Sequence, residues 1–340
     1  MSQLITFLSV ILVFGLVIFI HELGHFSTAK LFKVKVHEFA LGMGPCLLKK
    51  KKGETQYSLR AIPMGGFVKM EGEDEASQDE NAFNNKKPYQ RFIILVSGAF
   101  MNFILGFILL VLLTGFSGDV IIKSNIIDEV PQNYHSYEAG LREGDKIIKI
   151  NGITVRTQTD ISYAIGNMKE VETVIERNGE KINISFPLTE IDGRYYMGIR
   201  TKELSKNPVN VVNYSFFQAI SIIKMTYSTF FELFRGTVGV EQMSGPVGII
   251  TEIGAATKRG LTDVIFLLIL ITLNLGVVNL FPLPALDGGR VLFVLYEMIF
   301  RRKVNEKIEA FVHFIGFALL ILFMIYITKN DIMKLFGWGG

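Results

Sequence analysis

Two histidines spaced four residues apart stand at the end of the first apolar stretch of the chain. His21-Glu22-Leu23-Gly24-His25 follows the uncharged residues 4–20. Residues four apart share one face of a helix, so both imidazoles can reach one metal ion, while Glu22 can take a proton from water at that ion. Ionisable groups beside a membrane span are costly and usually functional. The pattern predicts a zinc site; the alternative is a satisfied pair of buried histidines, which would not require Glu22.

A third ligand must come from elsewhere, because catalytic zinc commonly has three protein ligands and an open fourth position. The remaining histidines are poor candidates, since they fall in a polar loop, in the polar middle of the chain and alone on the last apolar stretch: His37, His135 and His313. Asp287 is the better candidate. It follows Pro282 and Pro284, which interrupt a helix, and a broken helix at membrane depth is tolerated where it lines protein or a watery cavity. The alternative role for Asp287 is to cap a helix that starts near Arg290.

Apolar helices must position these side chains. The chain has 340 residues, of which 49% are hydrophobic, 28 are Phe and only 20% are charged, which disfavours a purely soluble globular protein. Four segments are long and apolar enough to span a membrane, namely residues 4–20, 92–116, 264–281 and 311–327. The first lacks the positive n-region and the cleavage site of a signal peptide, which predicts a retained helix.

Charge and cysteine content exclude other classes and predict an orientation. The net charge of +3 is too small for a nucleic-acid-binding protein, and the single Cys46 excludes an internal disulfide and a thiolate-rich metal site. Residues 30–91 carry twelve Lys and Arg residues, including the run at 49–52, and further basic residues follow the third span. The positive-inside rule therefore predicts that both segments are cytoplasmic and that residues 117–260 lie outside.

Residues 214–235 are ambiguous. Polar side chains recur there every three or four residues, and Phe, Ile and Tyr fill the other face. This pattern is typical of a helix lying in the membrane interface. The alternative is a fifth span, which would place Lys224 near its centre at a cost of roughly 2.5–3.5 kcal/mol.

Residues 119–202 have the composition of a small β-rich domain. Asn151-Gly152 and Asn178-Gly179 each separate two short apolar runs, which predicts two tight hairpins, and Thr159 with Asp160 can cap a helix through about residue 168. The stretch Ala139-Gly-Leu-Arg-Glu-Gly-Asp145 resembles the PDZ domain of bacterial membrane and periplasmic proteases. PDZ domains bind extended chains at a sheet edge. A structural β module without a ligand is the alternative.

The order of these motifs resembles the site-2 protease family of intramembrane zinc metalloproteases. The resemblance rests on His21-Glu22-x-x-His25 in the first span, on Asn279-x-x-Pro-x-Pro-x-Leu-Asp287-Gly-Gly in the third, and on the PDZ-like insertion between spans two and three. It covers nearly the whole chain. It implies that His21, His25 and Asp287 hold zinc, that Glu22 is the catalytic base, and that Asn279 binds the substrate backbone.

Further segments match that family. Leu41-Gly42-Met43-Gly44-Pro45 and Pro63-Met64-Gly65-Gly66-Phe67-Val68-Lys69 resemble its membrane-associated β loop, a strand of which is thought to pair with unwound substrate. The implied substrate contacts are Gly42, Gly44, Gly65 and Gly66. Ser244-Gly-Pro-Val-Gly248 also matches. One departure is Gly98-Ala99-Phe100-Met101-Asn102, which keeps the glycine and asparagine of a Gly-Pro-x-x-Asn pattern but lacks its proline, so that a local kink is in doubt.

The predicted fold is an α-helical polytopic membrane protein with four transmembrane helices, a membrane-associated β loop and an inserted β-rich PDZ domain. The predicted boundaries are 1–32 for the first transmembrane helix, 33–91 for the cytoplasmic β loop, 92–116 for the second helix, 119–202 for the PDZ domain, 203–260 for a linker with an interfacial helix, 261–289 for the third helix with the Asp287 motif, and 290–340 for a cytoplasmic loop, the fourth helix and a tail.

The resemblance implies a zinc-dependent endopeptidase that cleaves within transmembrane segments of single-span membrane proteins, of the anti-sigma factor or remnant signal peptide type, in regulated intramembrane proteolysis. The expected location is the bacterial cytoplasmic (inner) membrane, with the PDZ domain on the extracytoplasmic side, where it could bind a peptide or protein C-terminus. The lipid bilayer is the expected surroundings, and no nucleic-acid partner is expected.

Two other classes of protein stay open. An ion or metal transporter would commonly show internal repeats, and none is visible in the sequence. A catalytically dead scaffold that presents the PDZ domain is the other possibility, although the intact His21, Glu22, His25 and Asp287 argue against it.

Overall fold

Four long apolar helices dominate the computed structural model, which describes residues 2–73, 75, 77–237 and 239–337. They are α1 (Ser2–Leu31), α2 (Pro88–Phe116), α7 (Leu261–Asn279) and α9 (Glu306–Leu335). Within the described residues these four are long and apolar enough to cross a membrane. The prediction of four helices with the length and apolar composition of spans is confirmed. The third helix ends at Asn279, two positions before the predicted limit, because the chain turns ahead of Pro282.

The chain divides into two compact units, which are residues 1–106 with 226–340, and residues 107–225. In the first unit, α1 and α2 touch backbone to backbone, because a β-carbon at Gly24 would lie 2.7 Å from the backbone carbon of Ser97. Helix α7 approaches α2 in the same way at Gly276, where an added β-carbon would lie 3.1 Å from the carbonyl oxygen of Ala99. Small residues therefore set the close spacing of the three helices.

The segment between α1 and α2 forms a β sheet, which we call the β loop. It consists of β1 (Val36–Lys52) and β2 (Thr55–Met70), each of which folds back on itself. Residues 38–41 pair on one side with residues 56–59 and on the other with residues 66–69, while residues 46–52 pair only with residues 55–60. The layer has two edges, residues 46–52 and residues 66–70.

One edge of the β loop, residues 66–70, packs against helices of the same unit. Val36, Val68 and Met70 are buried in one apolar cluster with Ile94 of α2 and Val291 of α8 (Asp287–Phe300). Burial of apolar surface is the dominant stabilising term, about 25 cal/mol per Å². This cluster therefore fixes residues 66–70 against the helices.

The elements of the second unit are β3 (Ile122–Glu129), α3 (His135–Glu138), β4 (Lys146–Ile150), β5 (Ile153–Thr154), α4 (Gln158–Ile165), β6 (Glu170–Arg177), β7 (Glu180–Pro187), β8 (Thr189–Ile191), β9 (Arg194–Tyr196) and β10 (Arg200–Leu204). Six of these strands form one sheet of order β10-β3-β4-β6-β7, in which β5 pairs with β4. Both hairpins form at the predicted dipeptides, where Asn151, Gly152, Asn178 and Gly179 all have positive φ. A β-rich domain in this place is confirmed.

The cap of α4 differs from the prediction. The N-cap residue is Thr157, whose side chain accepts a hydrogen bond from the backbone N–H of Asp160, while the Asp160 carboxylate accepts one from the N–H of Thr157. This reciprocal capping box satisfies two helix-end donors at once, which Thr159 could not do from inside the helix. The helix ends at Ile165 rather than near residue 168, because Gly166 has a positive φ.

The amphipathic helix α5 (Pro208–Arg235) has its polar face covered within the second unit. Ser215, Gln218 and Ser221 are buried. Ser221 donates a hydrogen bond of 2.6 Å to Asp160, and Gln218 donates one of 2.8 Å to Thr159. The polar periodicity thus marks a docking face for α4. Helix α5 is not among the four apolar spans of the described chain, and its place in the membrane interface stays a prediction.

The remaining elements are α6 (Pro246–Arg259) and short 3-10 turns at Phe83–Asn85 and Val240–Gln242. The start of α6 lies in the glycine-rich segment 244–248, which resembles a segment of the same family. There the backbone N–H groups of Gly245 and Gly248 donate to the buried carboxylate of Asp331 on α9, at 3.2 and 2.8 Å. The carboxylate supplies acceptors for helix-end donors that have no partner within α6.

Candidate metal centre

Helix α1 presents two imidazoles on one face, as their spacing predicts. His21 and His25 are both buried, and their Nε2 atoms lie 3.3 Å apart. The rings meet edge to face, with centroids 4.8 Å apart. Both nitrogens therefore point at one small volume.

The turn after α7 brings Asp287 to the same volume. Its Oδ2 atom lies 3.3 Å from Nε2 of His21 and 3.3 Å from Nε2 of His25. Asp287 is the first residue of α8, whose N-cap is Leu286 and has no side-chain cap bond. The alternative role of Asp287 as a helix cap is therefore wrong.

Close backbone packing makes this turn possible. A β-carbon at Gly288 would lie 2.5 Å from the backbone carbon of Leu280, and one at Gly289 would lie 3.0 Å from the backbone carbon of Leu283. Larger residues would push the start of α8 away from the end of α7. The paired glycines after Asp287 are thus needed to bring its carboxylate back toward α1.

These three groups fit a zinc ion. Their donor atoms form a triangle with edges of 3.3 Å. A point equidistant from all three lies roughly 1.9 Å from each, close to the 2.0–2.1 Å of zinc–nitrogen bonds. Among the described residues, Asp287 Oδ2 is buried and has no hydrogen-bond partner. A buried carboxylate oxygen without a donor is costly, and a cation would remove that cost.

The outer nitrogens of both rings have partners that leave Nε2 available for a metal. His25 donates from Nδ1 to the carbonyl oxygen of Ile94 at 2.8 Å. His21 Nδ1 lies 3.4 Å from the amide nitrogen of Asn102, whose Oδ1 is buried without a hydrogen-bond partner in the described chain. Exchange of the two amide atoms lets Oδ1 accept a hydrogen bond from Nδ1 of His21.

Helix α2 makes room for the imidazoles at Gly98. A β-carbon there would collide with the ring of His25 and would lie 2.7 Å from Cε1 of His21. The sequence pattern alone does not indicate that Gly98 and Asn102 both contact the imidazoles. Helix α2 continues without a break through Ala99, the position at which the pattern has proline.

Glu22 lines a cavity of about 690 Å³, which is also lined by the three metal-binding candidates. One wall is the edge of the β loop, residues 66–70. Gly66 is essential to this approach, because a β-carbon there would lie 3.0 Å from Cγ of Glu22. A carboxylate and an open strand edge thus face the same space.

The other glycines predicted to contact substrate lie in the turns of the β loop. Gly42, Gly44 and Gly65 have positive φ values of 84°, 79° and 80°, and only Gly66 borders the cavity. Within β1, burial alone would raise the pKa of Glu38, but hydrogen bonds from Ser58 and Arg60 lower that pKa beneath its usual value.

Asn279, the predicted substrate-binding residue, is the last residue of α7. Its Nδ2 atom lies 3.2 Å from Nε2 of His21. The structure thus brings together all the predicted metal-binding and catalytic residues with Asn279 and Gly66.

His313, which stands alone on the last apolar stretch of the sequence and is a poor candidate for a ligand, borders the same cavity. Its Nδ1 atom accepts a hydrogen bond of 3.1 Å from the backbone N–H of Ala285. Ala285 has a φ of 74°, a left-handed conformation that is unfavourable for a residue other than glycine. His313 therefore supports the strained turn that leads into Asp287. No local sequence signal links residues 285 and 313.

A metal-binding triad beside a glutamate, among apolar helices, is the arrangement of a metallopeptidase. Comparisons with known proteins agree. The profile of peptidase family M50 matches residues 9–323. A protein named as a zinc metalloprotease in Fusobacterium nucleatum is 40% identical over 98% of this chain and 100% of its own length. A protein so named in Clostridium acetobutylicum is 39% identical over 95% of this chain and 96% of its own length.

The regulator of sigma-W protease RasP of Bacillus subtilis is 30% identical over 97% of this chain and 99% of its own length. The chain belongs to peptidase family M50. It is a zinc metalloprotease with the helices of a multi-pass membrane protein.

We expect His313→Leu to weaken zinc binding by about tenfold, because loss of the acceptor for Ala285 frees the turn that carries Asp287. His313→Asn keeps an acceptor near the position of Nδ1 and should restore most of the affinity. Competition with a chromogenic chelator measures both values, and His135→Leu on the second unit is the matched control. Equal affinities for the leucine variant and the wild type would show that His313 does not support the turn.

Proposed function

We propose that this metalloprotease cleaves peptide bonds within transmembrane segments of single-span membrane proteins. The observation that carries the proposal is the position of Glu22, His21, His25 and Asp287 on apolar helices around one cavity, with an open strand edge as a wall. A soluble substrate would not need a site among such helices.

In the proposed reaction, His21, His25 and Asp287 would hold zinc, which would act as a Lewis acid when bound. Glu22 takes a proton from the attacking water and passes it to the nitrogen of the leaving amine. The carbonyl of Ile94 and the amide of Asn102 keep the two imidazoles in the orientation that exposes Nε2. Asn279 orients the substrate backbone beside His21.

A transmembrane helix must unwind before it can be cut, since its carbonyls are occupied by internal hydrogen bonds. Residues 66–70 form an edge whose outward backbone groups have no strand partner in the described sheet. An extended segment paired with this edge would regain lost hydrogen bonds and lie next to Glu22. Gly66 allows that approach, and Gly42, Gly44 and Gly65 shape the turns that present the edge.

The wider assignments follow from the predicted orientation and from the relatives. We place the protein in the bacterial cytoplasmic membrane, with residues 119–202 as an extracytoplasmic PDZ domain that can bind a peptide or protein C-terminus. The named relative in Bacillus subtilis supports a role in regulated intramembrane proteolysis. Anti-sigma factors and remnant signal peptides are the proposed substrate types. Membership of family M50 favours this function over transport and over a purely structural scaffold.

Glu22→Gln should lower the cleavage rate by about 10²–10⁴-fold and leave zinc content unchanged, because the amide cannot accept the proton. The assay uses a purified single-span substrate in detergent micelles, with the cut mapped by mass spectrometry. Glu143→Gln, an exposed change of the same kind in the second unit, is the control. Full activity in Glu22→Gln, or a cut outside the transmembrane segment, would refute the proposal.

We further propose that the PDZ domain excludes substrates whose outer domain has not been trimmed. Deletion of residues 119–202 should then allow trimmed and untrimmed substrates to be cut at similar rates, whereas the wild type cuts the trimmed form faster. The measurement is the ratio of the two rates in reconstituted vesicles. A deletion variant that still discriminates between the two forms would rule out the filter.

A further inference from the structure

A second cavity, of about 370 Å³, lies between α1 and one face of the β loop. It is close to the edge formed by residues 46–52. Its apolar lining comes from α1 and from three segments of the sheet, namely Phe19, Phe39, Leu41, Leu48, Tyr57 and Leu59. Phe19 meets Phe39 edge to face, with ring centroids 6.0 Å apart. Leu48 is 67% exposed, so this groove is open apolar surface beside a membrane helix.

Positive charge borders one end of this groove. Lys49 and Lys50 complete its lining, and both side chains are exposed. In the part of the chain that the structure describes, neither ammonium group forms a hydrogen bond or an ion pair. The groove is therefore apolar over most of its wall and cationic at one end.

The charge is ordered along the edge strand. Leu47 and Leu48 come first, and all four residues at 49–52 are lysine. The strand ends in a turn at Glu54, which forms an ion pair with Lys30 in the last turn of α1. Helix α1 rises roughly 16 Å from Phe19 to Lys30. The apolar end of the strand thus lies beside the membrane-embedded part of α1, and its lysines lie toward the end of that helix.

We infer that this groove binds an anionic phospholipid of the surrounding bilayer. An acyl chain lies along Phe19, Leu48 and Leu59, and the phosphate contacts the ammonium group of Lys50, which shares the face of Leu48. The order of apolar and basic residues along the strand matches the order of acyl chain and headgroup in a leaflet. Charge complementarity selects an anionic lipid over a zwitterionic one.

The face of the strand distinguishes a specific site from a diffuse attraction. Lys50 pairs with Tyr57 and shares the face of Leu48, whereas Lys51 pairs with Gln56 and points to the opposite face. Both are exposed lysines one residue apart, so their loss changes the net charge equally. They form a matched pair for the test.

The experiment is native mass spectrometry of the full-length protein in detergent, titrated with palmitoyl-oleoyl phosphatidylglycerol or with the matching phosphatidylcholine. We expect the wild type to bind the first phosphatidylglycerol several-fold more tightly than phosphatidylcholine. Lys50→Gln should weaken that first site by about fivefold, the contribution of one lysine, while Lys51→Gln should change it by less than about twofold. Glycerophosphoglycerol, which lacks acyl chains, should not compete.

Equal losses in the two variants would show a diffuse attraction to the basic run and overturn the proposal. So would equal affinity of the wild type for the two lipids, or competition by the headgroup alone. These readouts measure lipid binding and not cleavage, so they are independent of the proposed proteolytic function. Circular dichroism of each variant confirms that the helices are intact.

Discussion

Two imidazoles and a carboxylate lie close together among apolar helices, and the rest of the structure depends on offsetting the cost of burying them. Each group would be costly there without partners. His21 and His25 obtain theirs from α2, through the carbonyl of Ile94 and the amide of Asn102. The buried Oδ2 atom of Asp287 has no hydrogen-bond partner among the described residues and lies 3.3 Å from both Nε2 atoms, an arrangement that a bound cation would satisfy.

Close backbone contacts hold this arrangement in place. Gly24 brings α1 onto α2, Gly98 leaves space for the rings, and Gly288 lets α8 start directly beside the end of α7. A single methyl group at any of these positions would collide with backbone or with an imidazole. Because interfaces between membrane helices rely on packing rather than on hydrophobic burial, small residues carry much of the architecture. The candidate zinc site and the helix packing therefore depend on the same glycine contacts.

Sequence patterns predicted the parts of the site that follow from local spacing. His21 and His25 share a face because four residues make about one turn, and Asn-Gly pairs make hairpins because those residues accept positive φ. The roles of Asn102 and His313 could not be predicted, since their partners lie on other helices. The folded-back β loop and the covered polar face of α5 depend likewise on long-range packing. The cap at Thr157 could have been predicted, since Thr157-x-x-Asp160 has the spacing of a capping box.

The central claim is that Asp287 joins His21 and His25 around one ion. X-ray absorption spectroscopy at the zinc edge, combined with metal analysis, tests this claim most directly. The wild type should hold about one zinc per chain, with two imidazole ligands and a carboxylate oxygen at roughly 2.0–2.2 Å. Asp287→Ala should lose the carboxylate scatterer and most of the zinc after dialysis, and Asp263→Ala at the start of α7 should lose neither. A fully loaded Asp287→Ala protein with an unchanged spectrum would contradict the account.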